Sequence, residues 1–215
     1  MSETWNEAGR VNAGFFDKGC ERHGATGWAA AHFMDADSQW AVYHALASRL
    51  SLDNATLLDV GCGQGDLIPF LYQNKKKLKK YHGVDVSPKM VELATQKYGP
   101  DLFENVNFLD PERSFEYDVV LAAGAWNVRV YKDDKEQFRY LTEAIAKMYR
   151  TCKRGCAFTL LSSHGYEVAK DCAELACYEP WEVMEFCMGL TSAVVVDHAS
   201  LPAEFAVSLF HDDLE

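Results

Sequence analysis

From Thr56 onward, short apolar runs alternate with segments of helical periodicity. "TLLDVG" (56–61), "YHGVDV" (81–86), "NVNFLD" (105–110), "YDVVLAAG" (117–124) and "GCAFTLLSS" (155–163) predict five strands. Each is apolar enough to be covered on both faces, the pattern of a parallel sheet between layers of helix. A helix over 65–74 follows the first strand, and a second begins at Pro88 with Ser87 as its cap and stops at Gly99-Pro100. A third, over 133–150, carries Phe138, Leu141, Ile145 and Met148 at spacings of three and four, with acids at its start and Lys147 and Arg150 near its end. After a helix in "EPWEVMEFCMGL", the runs "AVVVDH" (193–198) and "EFAVSLFH" (204–211) are joined by a connection too short for a parallel crossover. The expected architecture is therefore an α/β fold: a doubly wound, mostly parallel seven-stranded sheet with a reversed terminal strand and helices on both faces.

The first fifty residues differ. Only 37–50 has a clear helical stripe, through Trp40, Tyr43, Ala47 and Leu50, and the glycine-spaced aromatic stretch before it suits a segment that folds over a site. We expect a cap or lid segment over 1–50 and one main domain over 51–215. The net charge of −11 disfavours nucleic acid and anionic membranes as partners. The one basic run, "KKKLKK" at 75–80, suits a solvated loop. The odd count of seven cysteines, without a CxxC pair, suits reduced, buried thiols. No span-length apolar segment or secretion signal is present, so a cytoplasmic protein is expected.

Candidate chemistry concentrates in "LLDVGCGQGDL" (57–67), three glycines between two acids at a strand-to-helix turn. In open α/β sheets that turn faces the ligand crevice at the carboxyl ends of the strands. A dinucleotide site would want a third glycine at position 66 and a pyrophosphate at the helix start. Asp66 stands there instead and repels a phosphate. With Asp59 on the other side of the turn, a cationic ligand carrying an adenosine but no phosphate fits better.

These residues resemble the first motif of the class I S-adenosylmethionine-dependent methyltransferases, and "GVDVSPKMVELA" (83–94) resembles the second. "NVNFLD" is similar to the segment beside the adenine, and "YDVVLAAGAWN" to the strand lining the methionine and substrate end. The resemblance covers about 56–163 well, and the closing strand pair fits the family's sheet. It implies that S-adenosylmethionine is the cofactor, with S-adenosylhomocysteine as product. Gly61, Gly63 and Gly65 would then let the backbone approach the methionyl part. Asp85 would accept from the ribose hydroxyls, Val86 and Met90 would flank the adenine, and Asp110 would take its exocyclic amine with Leu109 offering backbone. Ala123 would present a carbonyl to the methionine ammonium, and Asp59 negative charge. Asp85 as an ordinary strand-end acid and Asp110 as a plain turn residue are the structural alternatives.

Methyl transfer is an in-line displacement that needs alignment first and a base only for some nucleophiles. His164, just past the fifth strand, is the candidate base by topology, against the alternative of a surface histidine. Trp126 and Asn127 are candidates for the substrate wall or for packing, and His23, His32 or Gln39 would reach the site if the N-terminal segment closes over it. The fourth strand leads into "AGAWN", without the double proline of base-methylating enzymes, and Asp133-Asp134 lies too far on for a catechol-type metal site. The implied acceptor is a small molecule methylated at O, N or S, with no metal. A nicotinamide-dependent oxidoreductase and a non-catalytic S-adenosylmethionine-binding module are the competing readings.

Overall fold

The computed structural model describes residues 2–23, 35–165 and 172–211. Two helices come first, α1 (Ser2–His23) and α2 (Ala36–Ala47), followed by β1 (Thr56–Val60), α3 (Leu67–Gln73), β2 (Lys80–Asp85), α4 (Pro88–Tyr98), β3 (Phe103–Asn105) and β4 (Tyr117–Ala122). The chain continues through α5 (Asp134–Thr151), β5 (Cys152–Leu161), α6 (Pro180–Met188), β6 (Val194–Asp197) and β7 (Glu204–Phe210). One seven-stranded sheet runs β3-β2-β1-β4-β5-β7-β6. β1 to β5 are parallel, and β7 inserts antiparallel between β5 and β6. The chain's last strand is thus the reversed one, and it lies inside the sheet with β6 at the edge.

Continuous apolar runs made the central strands, because both faces are covered. Leu57, Leu58 and all of 119–122 have no measurable exposure. The capping signals also act locally. The Ser87 hydroxyl accepts from Met90 N at 3.0 Å, with Pro88 in the first turn of α4, and the Asp133 carboxylate accepts from Lys135 N and Glu136 N at the start of α5. Helix α5 buries Tyr140, Leu141, Ala144, Ile145 and Met148 against the sheet, whereas Phe138 lies at the flank of that stripe, half-buried.

Three expectations change. The third strand is 103–105, not 105–110, since Asn105 pairs with Asp85 at the end of the β2 register and the chain then leaves the sheet. Val106, Phe108 and Leu109 are apolar because they pack into the core from a loop. Helix α2 ends at Ala47, and Leu50 is buried beyond it. The N-terminal stretch holds a 22-residue helix, α1, that its scattered glycines concealed. None of the seven cysteines forms a disulfide. Among the described residues no helix is long and apolar enough to cross a membrane.

Candidate active site

The chain moves outward from β1 through β2 to β3, then restarts at β4 on the other side of β1. That reversal opens a crevice beyond the carboxyl ends of β1 and β4. A cavity of about 420 Å³ lies there. The turn after β1, the end of β2 and residues 123–128 after β4 form its base, while Asn12, Phe15 and Phe16 of α1 and Gln39 and Tyr43 of α2 close over it.

Gly61, Gly63 and Gly65 all have left-handed backbones, with φ of 72°, 52° and 78°. Their surroundings separate their roles. A Cβ on Gly61 would lie 2.6 Å from the Ala125 Cβ, and one on Gly65 2.8 Å from the Phe103 ring, so these two permit packing. Gly63 has nothing within 4 Å and opens into the cavity. Its N–H donates to Asp85 Oδ2 at 2.9 Å, and Ser87 N–H donates to Asp85 Oδ1 at 2.8 Å. The strand-end acid therefore clamps the glycine turn as well as facing the cavity.

Two buried carboxyls border this turn. Burial pushes Asp85 up to about 6, although its bonds from Ser87 and Gly63 favour the charged form. Asp59 is pushed up to about 7 by burial, against the opposing bond from the Tyr81 hydroxyl at 2.6 Å and with added repulsion from Asp85 and Asp66. The wall holds five carboxylates (Asp59, Asp66, Asp85, Glu174, Glu204) and a single lysine, Lys18, among the described residues. Such a wall repels phosphate and favours a cation.

Buried polar groups are nearly always hydrogen-bonded, and leaving one unpaired costs about 1–3 kcal/mol. Among the described residues, four buried side-chain atoms lack a partner: Gln39 Nε2, Gln64 Nε2, Trp126 Nε1 and Glu204 Oε2. All four belong to residues of this one cavity. Burial also raises the Glu204 carboxyl, against the pull of Thr159. Helix α1 is tied across the site: Asn12 Nδ2 donates to Ala125 O at 3.2 Å, the Ser87 hydroxyl donates to Asp17 at 2.6 Å, and Cys20 Sγ lies 3.7 Å from Met90 Sδ.

The structure brings Asp59, Gly61, Gly63, Asp85, Val86, Met90, Ala123, Trp126, Asn127 and Gln39 to the cavity and leaves four other candidates off it. Gly65 faces the rings of Phe103 and Tyr98. Leu109 is buried in the core. The Asp110 carboxylate accepts from Glu112 N at 2.9 Å, closing a turn off the cavity wall, which Asn107 lines. His164 lies outside because the chain bends away after Leu161 to bridge Ser162 with Tyr178. Its side chain is 66% exposed, with Nε2 3.0 Å from Glu179. The His23 side chain and all of His32 fall outside the described residues. Sequence reasoning missed Asn12, Tyr43, Gln64, Asn107 and Glu204. Tyr43 appeared only as a member of a packing stripe, and Glu204 only as the one acid opening an apolar strand.

Comparison with known proteins bears on the domain and its fold. Residues 58–158 match the model of a family described as "Methyltransferase domain". A Mycobacterium tuberculosis protein, itself named a methyltransferase by inference, is 29% identical over 136 residues, covering 63% of this chain and 80% of its own. The N-methyltransferase NodS from Bradyrhizobium japonicum, solved with S-adenosylhomocysteine, superposes with a TM-score of 0.61 at 14% identity over 93% of this chain and 100% of that one. The plantazolicin methyltransferase BpumL, solved with a triazolic desmethylPZN analog and S-adenosylhomocysteine, gives 0.62 at 11% identity over 98% of this chain and 99% of that one. At such identities the two structures establish the shared fold.

Proposed function

We propose that this chain, whose residues 58–158 match a methyltransferase-domain family model, is a class I S-adenosylmethionine-dependent methyltransferase, and that it methylates O, N or S of a small molecule held in the cavity beneath α1. The observation that carries this reading is that all four unpartnered buried polar atoms among the described residues belong to residues lining this one cavity, a set of groups that a ligand inside it would satisfy.

The residues present fit the cofactor. Gly63 leaves open space where any side chain would intrude, Asp85 offers a buried acceptor to a ribose, and Asp59 offers negative charge to an ammonium. Val86 and Met90 would enclose the adenine, with Asn107 beside them, and the Ala123 carbonyl would accept from the methionine ammonium. When bound, the cofactor supplies a methyl group on a positively charged sulfur. The chain's own contribution is alignment and exclusion of water. Trp126 and Asn127, held by the Leu161 N–H donating to Asn127 Oδ1 at 2.9 Å, would form the wall on the acceptor side. Residues 1–50, with α1 and α2, act as the cap and 51–215 as the methyltransferase domain.

Calorimetric titration with S-adenosylmethionine, S-adenosylhomocysteine and NADH tests this reading. Micromolar binding of the first two and none of NADH is expected. Binding of NADH alone, or of none of the three, would overturn it.

A further inference from the structure

We propose that the methyl acceptor is an amine and that Glu204 is the carboxylate that receives it. This deepens the methyl-transfer reading and rests on it. The cavity has two acidic ends. One is the glycine turn with Asp59 and Asp85, at the ends of β1 and β2, which the cofactor's own positive charge would take up. The other is Glu204, at the start of β7 and in register with Leu161 of β5, three strands from β1. Glu174 lines the same cavity.

At this second end Glu204 Oε2 is buried and receives no hydrogen bond. A buried carboxylate oxygen without a donor is costly, and a ligand that brings an N–H beside a positive charge relieves it most. Among the described residues the one cation on the cavity wall is Lys18 of α1; Arg129, outside that wall, donates to Asp134 at 2.6 Å and to the Leu175 carbonyl at 3.4 Å. An anionic acceptor would be repelled, and an alcohol or thiol would offer one neutral donor where an ammonium offers several and a charge. The side chains of Trp126, Phe108 and Tyr140 supply an aromatic, largely apolar surround for the body of the molecule, and aromatic faces favour an ammonium.

An ammonium has no lone pair and must lose a proton before it reacts. In this arrangement one N–H bond breaks, its electron pair stays on nitrogen, and the proton forms an O–H bond with the Glu204 carboxylate. The ion pair becomes a neutral amine beside a neutral acid, and burial of the carboxyl favours that direction.

The test uses the full chain saturated with S-adenosylhomocysteine and three probes of one shape: 2-phenylethylamine, 2-phenylethanol and phenylacetate. The amine is expected to bind at least tenfold tighter than the alcohol, with phenylacetate weakest. In Glu204→Gln the amine and the alcohol should fall within twofold of each other while S-adenosylhomocysteine affinity stays unchanged. Equal binding of the probes, binding of none, or an amine preference that survives in Glu204→Gln would overturn the proposal. The wild-type comparison decides by itself if the variant does not fold. Failure to bind S-adenosylhomocysteine would remove the methyl-transfer reading and this proposal together, whereas its binding without amine preference removes the proposal alone.

Discussion

Replacing Asp59 by Asn should stabilise the free protein at alkaline pH while weakening its hold on the cofactor. The carboxyl is 3% exposed, accepts a bond from Tyr81, and is pushed by burial from 3.8 to about 7. Each tenfold change in proton affinity is worth about 1.4 kcal/mol, so that rise corresponds to about 4 kcal/mol of penalty on the ionised folded state. The sign follows from linkage. A carboxyl whose folded pKa lies above its unfolded value contributes stability that is full below about 3.8 and is lost as pH rises through about 7. Asn keeps an oxygen for the Tyr81 hydroxyl but adds an amide N–H that costs about 1 kcal/mol if it finds no partner. The net expectation is a gain of about 3 kcal/mol at pH 8 and less than about 1 kcal/mol at pH 5. Urea denaturation of both proteins at the two pH values measures it, and the difference between them isolates this one group. An Asn variant no more stable than wild type at pH 8 would refute the account of Asp59 as a strained, buried charge kept for a ligand.

Other expectations follow from the same geometry. Asp85→Ala should weaken S-adenosylhomocysteine binding by about 1.5–3 kcal/mol, as befits loss of a charged acceptor, and unchanged affinity by calorimetry would remove it from the site. Gly63→Val forces a β-branched residue to φ 52° and fills the open space beside the turn, so cofactor affinity should drop at least tenfold in the same assay, more than for a strained turn remote from the ligand. His164→Ala should leave turnover and melting temperature unchanged, since the ring pairs with Glu179 at the surface; a large fall in turnover would return it to the site. Phe158→Ala, at a fully buried position of β5, should cost about 3–5 kcal/mol in chemical denaturation.

Elements whose hydrophobicity came from strand pairing or a helical stripe were legible in the sequence. β1, β4 and α5 were found because buried strands and amphipathic helices impose periods of their own. "NVNFLD" misled because Val106, Phe108 and Leu109 are buried by packing from a loop, where no period applies. Helix α1 was hidden by Gly9, Gly14 and Gly19, poor helix formers, one of which serves contact: a Cβ on Gly9 would lie 3.0 Å from Asn107 Nδ2. Within the site, the glycines and acids of the turn were found because they form a local pattern, whereas Gln64 between them was not singled out. Glu204 is brought in by the sheet from far along the chain and Tyr43 by the cap, and neither carries a spacing that announces it. Asp110 and His164 show the converse, since position after the right strand does not guarantee the right direction.

The Gly63 amide that points at Asp85 makes the site legible to spectroscopy. Its proton shares the carboxylate's electron density, so its chemical shift depends on whether that carboxyl is charged. Glycine amides occupy their own region of a nitrogen–proton correlation spectrum, and this peak should titrate near pH 6 with Asp85 in the free protein. A ligand that holds the carboxylate ionised should flatten that titration. One backbone resonance thus reports occupancy of the pocket without any label on the ligand and without knowledge of what is being methylated.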